Sequence, residues 1–344
     1  MMEIRRPKLL VLRFSAMGDV AMVASVLQEF ARQQPEVDLI MVSRETFRPF
    51  FDGIPNLTFH VIHPRGQHKG LSGLYRLFRE LLSYQANGVA DLHGNIRSRV
   101  VTALFRSRGT PVRVIDKGRK EKKALTRTRN KVLRPLKPTV ERYADVFRRL
   151  GYRLSLSHAL QPRHLPLPET ARRLFADEGA RAVGIAPFAK HPAKIYPLDR
   201  MERVVEYLGQ KGHTVLIFGG GKAEQEVGDR WQHAFPNVYN LVGQFTLRQE
   251  LAVMSHLDLV ISMDSAGMHM ASLVGVRVLS IWGGTHPFAG FLGYGQRMED
   301  CIQVDHPVRP TSVYGNKPCI CDGKNCMELI EPEQIIGRLA DLGY

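Results

Sequence analysis

Apolar residues in this chain come in short runs that end in small, polar turns. Leu9-Leu-Val-Leu-Arg-Phe14 ends in Ser15-Ala-Met-Gly-Asp19, after which Val20, Val23, Ala24 and Leu27 recur at spacings of three and four. That pattern predicts a buried strand, a turn and a helix. The same order returns where Leu259-Val-Ile-Ser-Met-Asp-Ser-Ala-Gly267 leads into Met268, Ala271, Leu273 and Val274, and a second apolar run then ends in Gly283-Gly284. Strands are predicted over 9–13, 39–42, 59–61, 88–91 and 112–115, with helices over 19–32, 70–84, 95–105 and 138–150. Gln161-Pro-Arg-His-Leu-Pro-Leu-Pro168 reads as a linker. Alternation then restarts, with strands over 183–186, 215–218, 238–241, 259–262 and 278–282. Helices fall over 198–210, 222–234, 247–255, 266–274 and 332–342, that at 247 opening with a capped start in Thr246-Leu-Arg-Gln-Glu250. Repeated β/α alternation on both sides of a proline-rich stretch predicts two doubly wound α/β domains, residues 1–165 and 166–344.

Length and composition agree with that division. At 344 residues the chain is long for one core, and 44% apolar content is ordinary for a globular protein. Arg5 and Arg6 precede an apolar stretch as in a signal peptide, but Arg13 and Asp19 interrupt it. No window reaches the ~18 uncharged residues of a membrane span, so a cytoplasmic protein is expected. Charge changes the picture more. Residues 1–165 carry 31 Lys and Arg against 13 Asp and Glu, a net of +18, whereas residues 166–344 carry 17 against 20, a net of −3. Within 97–137 there are 15 basic residues, with Asp116 and Glu121 as the acids. Such a field attracts a polyanion: nucleic acid, anionic lipid or a phosphorylated glycan. Stacking platforms for bases are missing, because Phe105 is the sole aromatic residue in that block. A dinucleotide oxidoreductase is disfavoured too, since the first turn lacks G-x-G-x-x-G.

The turns carry the candidate chemistry. A strand end that feeds a helix presents free backbone N–H groups and the positive end of the helix dipole, suiting phosphate. Ser265, Ala266 and Gly267 form one such cradle, with Asp264 and His269 beside it; Asp264 could instead cap the helix, and His269 could be a buried, hydrogen-bonded ring. Ser15 and Gly18 form the other. Asp19 can project from its turn as a general base for a sugar hydroxyl, or cap the helix that follows. Lys190 and Lys194 follow strand 183–186 and could meet the charge of a departing diphosphate. No D-x-D pair stands at a strand end, which favours metal-free chemistry. Cys301, Cys319, Cys321 and Cys326 crowd into the last part of the chain; unlinked thiols are the default, with a structural zinc as the alternative.

Leu10-Val-Leu-Arg-Phe-Ser-Ala-Met-Gly-Asp-Val20 and Met263-Asp-Ser-Ala-Gly-Met-His269 resemble glycosyltransferase family 9, the ADP-heptose:lipopolysaccharide heptosyltransferases. Asp91-Leu-His-Gly-Asn-Ile-Arg-Ser98, Lys194-Ile-Tyr-Pro197 and Gly283-Gly-Thr-His-Pro287 fall, in order, where that family has related segments. The resemblance implies the GT-B architecture, two Rossmann-like domains facing across a cleft, with acceptor on the first domain and nucleotide sugar on the second. It implies inverting, metal-independent transfer of heptose from ADP-heptose to the lipopolysaccharide inner core, without a cofactor. Asp19 would be the base and Lys194 the cleft lysine. Glu224 would accept ribose hydroxyls, with Glu226 as the alternative if the alignment slips. Phe245 would lie beside ribose and adenine, or pack in the core. Arg97 and Ser98, followed by Arg119, Lys120, Lys122 and Lys123, would meet the anionic glycolipid at the cytoplasmic face of the inner membrane. The family places glycine where this chain has Ala266, which leaves open which N–H groups face the phosphate. His93 is the next candidate base after Asp19.

Overall fold

The computed structural model describes residues 6–177 and 179–344. Contacts divide the chain into two compact units, Met1–Lys117 with Thr139–Ser157, and Gly118–Pro138 with His158–Tyr344. In the first unit β1 (Lys8–Leu12), α1 (Met17–Gln33), β2 (Asp38–Ser43), β3 (Leu57–Val61), α2 (Gly70–Leu82), β4 (Gly88–Asp91), α3 (Ile96–Ser107) and β5 (Val112–Val114) follow in order. The chain leaves this unit for α4 (Arg119–Thr126) and returns for α5 (Thr139–Arg148). All strands are parallel in the order β3-β2-β1-β4-β5, and Leu9 pairs with Leu39 on one side and Gly88 on the other. The strands read as near-continuous apolar runs because both faces of a parallel sheet are covered. Leu10, Leu12, Ile40, Val42 and Val89 pack on one face against Leu74, Leu77 and Leu81 of α2 and Val101 and Phe105 of α3.

The second unit repeats the plan with β6 (Ala182–Ala186), α6 (Leu198–Gln210), β7 (Thr214–Ile217), α7 (Lys222–Ala234), β8 (Val238–Asn240), α8 (Leu247–Met254), β9 (Leu259–Met263), α9 (Ala266–Leu273), β10 (Val278–Trp282) and β11 (Cys301–Gln303). Its sheet runs β11-β10-β9-β6-β7-β8, again parallel. A two-stranded hairpin of β12 (Ile320–Cys321) and β13 (Lys324–Asn325) precedes α10 (Pro332–Asp341). Trp231, Tyr196, Met201, Val205 and Ile335 fill the core between sheet and helices. In each sheet the strand order reverses once, between β1 and β4 and between β6 and β9. Right-handed crossovers therefore send the flanking connections to opposite faces, and the loops after those strands diverge.

Two expectations are corrected, and one helix is added. The proline stretch 161–168 is no free linker: Arg163 N–H donates to Val274 O at 3.0 Å and Leu165 N–H to Ser255 Oγ at 3.0 Å. Gly275, at φ +81°, admits it, since a Cβ there would lie 2.3 Å from the Gln161 carbonyl. Helix α4 is the added one: its charges mask the apolar position Leu125, which is buried with Leu136 and Ala289. Because 118–138 belongs to the second unit, the first unit carries 21 basic against 12 acidic residues and the second 27 against 21. Their nets of +9 and +6 are far closer than a cut at residue 165 suggests.

Asp300 ties the end of the second sheet to the last helix. Its carboxylate, fully buried, accepts from Arg277 at 2.7 and 2.9 Å and from Arg338 at 2.9 Å. Burial works against the charge, yet the two guanidinium groups hold the carboxyl below its ordinary range. Asp300→Ala leaves both cations without that partner and should lower denaturant-measured stability by about 3 kcal/mol. Glu226→Ala, at an exposed position of α7, should change it by less than about 0.5 kcal/mol.

Candidate active site

The first reversal gathers Arg13, Asp19 and His93. Arg13 follows β1, and its buried guanidinium donates to Leu92 O at 2.8 Å while pairing with the Asp19 carboxylate at 2.5 Å. Tyr143, from α5, donates to the other Asp19 oxygen at 3.3 Å. Asp19 is the third residue of α1, whose N-cap is Ala16, and its contact to Ala16 N–H is a long 3.4 Å. The capping role is therefore slight, and the carboxylate is oriented chiefly by Arg13 and Tyr143. Ser15 and Gly18 are half-buried in the same turn.

His93 does not qualify as the alternative base. Its Nδ1 accepts from Phe14 N–H at 3.2 Å, so the neutral ring carries its hydrogen on Nε2. Burial, reinforced by Arg13 and Lys117, pushes its pKa down to about 3. The ring has no lone pair free for a substrate proton. Ser98, expected at the acceptor, is also withdrawn: it is fully buried and donates to Asp91 Oδ2 at 2.8 Å. Asp91 in turn accepts from the N–H groups of His93 at 3.0 Å and Gly94 at 2.8 Å, so the pair shapes the loop after β4. Burial raises the Asp91 pKa against these hydrogen bonds. Arg97 alone of that segment's expected contacts is exposed.

The second reversal gathers Lys194, Asp264 and the start of α9. Lys194 ends a single 3₁₀ turn, and its ammonium pairs with Asp264 Oδ2 at 2.7 Å and donates to Asp264 O at 2.9 Å. Asp264 is buried and serves Lys194, while the helix cap is Ser265. Ser265, Ala266 and Gly267 are partly exposed; the Ser265 N–H donates to Met263 O at 2.7 Å, whereas the first-turn N–H groups of Ala266 and Gly267 lack intrahelical partners. Gly267 is required because α9 lies on β6: a Cβ there would meet Ala186 Cβ at 2.6 Å and Ser262 Oγ at 3.1 Å. His269 is buried on the helix. Lys190 is exposed beyond β6. Glu224, in the first turn of α7, accepts from Gly220 N–H at 2.7 Å, whereas Glu226 is exposed. Phe188, unnoticed in the sequence, stands with Glu224 around Gly219, each 2.7 Å from the position of the Cβ that glycine lacks. Phe245 lines a cavity of about 360 Å³ with Thr170, Arg173, Tyr239 and Gln244.

Other residues fall elsewhere. Lys122 is buried with its ammonium 4.1 Å from the Phe291 ring centre, so it is a packing residue; Arg119, Lys120 and Lys123 are exposed on α4. Cys301 lies apart from the other three cysteines, beside Ser280 at 3.5 Å, with its thiol pushed up to about 11 by burial. Arg309 had no sequence signal. Buried, it donates to Trp282 O and Thr285 O at 3.0 Å each and to Gly283 O at 2.5 Å, fixing the loop after β10. Burial lowers its pKa to about 10.

The neutral state of His93 carries a pH signature. The unfolded imidazole takes a proton near pH 6.5, whereas the folded one resists down to about pH 3. Its contribution is complete above pH 6.5 and is lost as pH falls toward 3. Each such group steepens the acid limb by up to about 1.4 kcal/mol per pH unit. His286, pushed down to about 4 by burial, is a second. Denaturant titrations across that window should show a shallower slope for His93→Asn, whose amide oxygen can still accept from Phe14 N–H. An unchanged slope would contradict the assignment.

Comparison with known proteins gives this geometry a family. The description Glycosyltransferase family 9 (heptosyltransferase) matches residues 74–316, more than half of the chain. The lipopolysaccharide core heptosyltransferase OpsX of Haemophilus influenzae is 23% identical, over 97% of this chain and 96% of that protein. Among solved structures, a glycosyltransferase family 9 protein of Veillonella parvula superposes with a TM-score of 0.73 at 21% identity, covering 99% of this chain and 98% of that one. ADP-heptose lipopolysaccharide heptosyltransferase II of Escherichia coli gives 0.66 at 19% identity, covering 98% of each. The chain is a glycosyltransferase and belongs to glycosyltransferase family 9.

Proposed function

We propose that this enzyme transfers heptose from ADP-heptose to a hydroxyl of the lipopolysaccharide inner core, with inversion and without a metal ion. The observation that carries the reading is the Asp19 carboxylate, held at the end of β1 by Arg13 at 2.5 Å and Tyr143 at 3.3 Å. A sugar hydroxyl needs its proton removed as it attacks, and a positioned carboxylate does this. The acceptor oxygen bonds to the anomeric carbon from the face opposite the diphosphate, the bond to the β-phosphate oxygen breaks, and Asp19 takes the hydroxyl proton. Negative charge grows on the departing ADP. Lys194 and the first-turn N–H groups of α9 meet it with groups already in place. Ribose hydroxyls fit Glu224, with Phe188 beside it, and adenine fits the mixed polar and apolar cavity at Phe245.

The names of the relatives support the sugar and the acceptor, since OpsX is a lipopolysaccharide core enzyme and the Escherichia coli structure is that of an ADP-heptose enzyme. Exposed Arg119, Lys120 and Lys123 on α4, with Arg97 on α3, suit the phosphates and carboxylates of such an acceptor. Among the described residues no helix is long and apolar enough to cross a membrane. We place the enzyme in the cytoplasm, peripheral at the inner-membrane surface, where the net charge of +15 favours anionic lipid.

Asp19→Asn tests the reading. The amide oxygen can still accept from Arg13, and the Tyr143 hydroxyl can turn to accept from the amide NH2, but the amide cannot take the hydroxyl proton. With ADP-heptose and a heptose-free inner-core acceptor, kcat should fall by about 10²-fold or more while ADP affinity is retained. Transfer at the wild-type rate would remove Asp19 from the chemistry.

A further inference from the structure

We propose that Cys319, Cys321 and Cys326 together bind one zinc ion, without Cys301. The hairpin of β12 and β13 turns through Asp322 and Gly323, both at positive φ (51° and 81°), as a two-residue turn that Asp-Gly favours. Cys326 N–H closes it by donating to Cys319 O at 2.9 Å. The turn brings three cysteines to one point. Their Sγ atoms all lie within 4.8 Å of one another and all three residues are fully buried. The Cys319 and Cys321 sulfurs are 3.8 Å apart, about the spacing of two thiolates each about 2.3 Å from one tetrahedral zinc, while Cys326 Sγ lies closer than that to both.

Counting bonds favours a cation over a disulfide. Cys326 Sγ sits against both Cys319 and Cys321, yet one cysteine sulfur can join only one of them. Either pairing strands a third thiol in an apolar pocket lined by Val304 and Leu329. A soft divalent ion satisfies all three sulfurs at once, and soft sulfur donors select zinc over harder cations. On binding, three S–H bonds break, three Zn–S bonds form and three protons pass to solvent. Among the described residues no fourth His, Cys, Asp or Glu joins the group, so a solvent molecule or small anion completes the tetrahedron.

The cluster also explains how this segment is held. A Cβ on Gly284 would lie 2.9 Å from Cys319 Cβ, and one on Gly283 would lie 2.7 Å from Met327, so both glycines are pressed against the knuckle. Gly284 O accepts from Thr311 N–H at 3.0 Å, and Gly315 leaves room for the Lys194 side chain, within 2.5 Å of the Cβ it lacks. Zinc therefore rivets the segment that walls Lys194. The role at Lys194 rests on the function proposed above; the metal content does not.

The test is metal analysis of the full chain, expressed in zinc-supplemented medium and purified with a non-thiol reductant. About one zinc per chain is expected, lost in Cys321→Ser and kept in Cys301→Ser. To guard against misfolding of Cys321→Ser, the wild-type protein is also titrated with an organomercurial and exchanged with cobalt. Zinc should leave as the three thiols react, and cobalt should show thiolate-to-metal charge transfer. Iron or copper in place of zinc, a stoichiometric disulfide among the three cysteines, three free thiols without metal, or zinc retained by Cys321→Ser would each overturn the proposal.

Discussion

Both candidate sites of this molecule depend on where each parallel sheet reverses its strand order. Between β1 and β4, and between β6 and β9, the connections must leave toward opposite faces, so the backbone there cannot close over the strand ends. Loops at those two places are the ones free to present side chains and N–H groups. Arg13, Asp19 and the His93 loop occupy one, and Lys194, Asp264 and the first turn of α9 the other. The close seat of α9 on Ala186, possible only with Gly267, aims that turn at the strand ends.

Both candidate sites hold a charged side chain against an opposite one. Arg13 pairs with Asp19, and Lys194 with Asp264, in positions largely shielded from water. Such pairs add little net stability, since desolvation offsets their attraction. In the proposed reaction they provide fixed geometry before substrate arrives, which is where electrostatic catalysis gains most. Neutral His93 and buried Asp91 serve the same end by stiffening the loop that receives the Arg13 guanidinium.

The sequence carried the alternation, the two key turns and the helices from α6 to α9 nearly to the residue, because apolar period and turn chemistry are local signals. It also singled out Asp19, Lys194, Asp264 and the 265–267 turn as candidates, because they stand in the turns and loops that follow strongly apolar strands. Non-local facts were illegible. That 118–138 folds with the second unit depends on Leu125 and Lys122 meeting Ala289 and Phe291, far along the chain. Ser98 looked like a contact because nothing in its neighbours announces the buried hydrogen bond to Asp91. Arg309 is anonymous among 48 basic residues until its carbonyl partners are seen. Cys301 is near the other cysteines in sequence and apart from them in space.

In the proposed reaction the β6/β9 reversal binds a diphosphate through Lys194 and backbone N–H groups. Calorimetric titration of ADP and AMP in the presence of a chelator tests it most directly. ADP should bind at least about tenfold more tightly than AMP, a difference of about 1.4 kcal/mol, and Lys194→Ala should erase most of that gap. Equal affinities for the two nucleotides, or a gap that survives Lys194→Ala, would contradict the account.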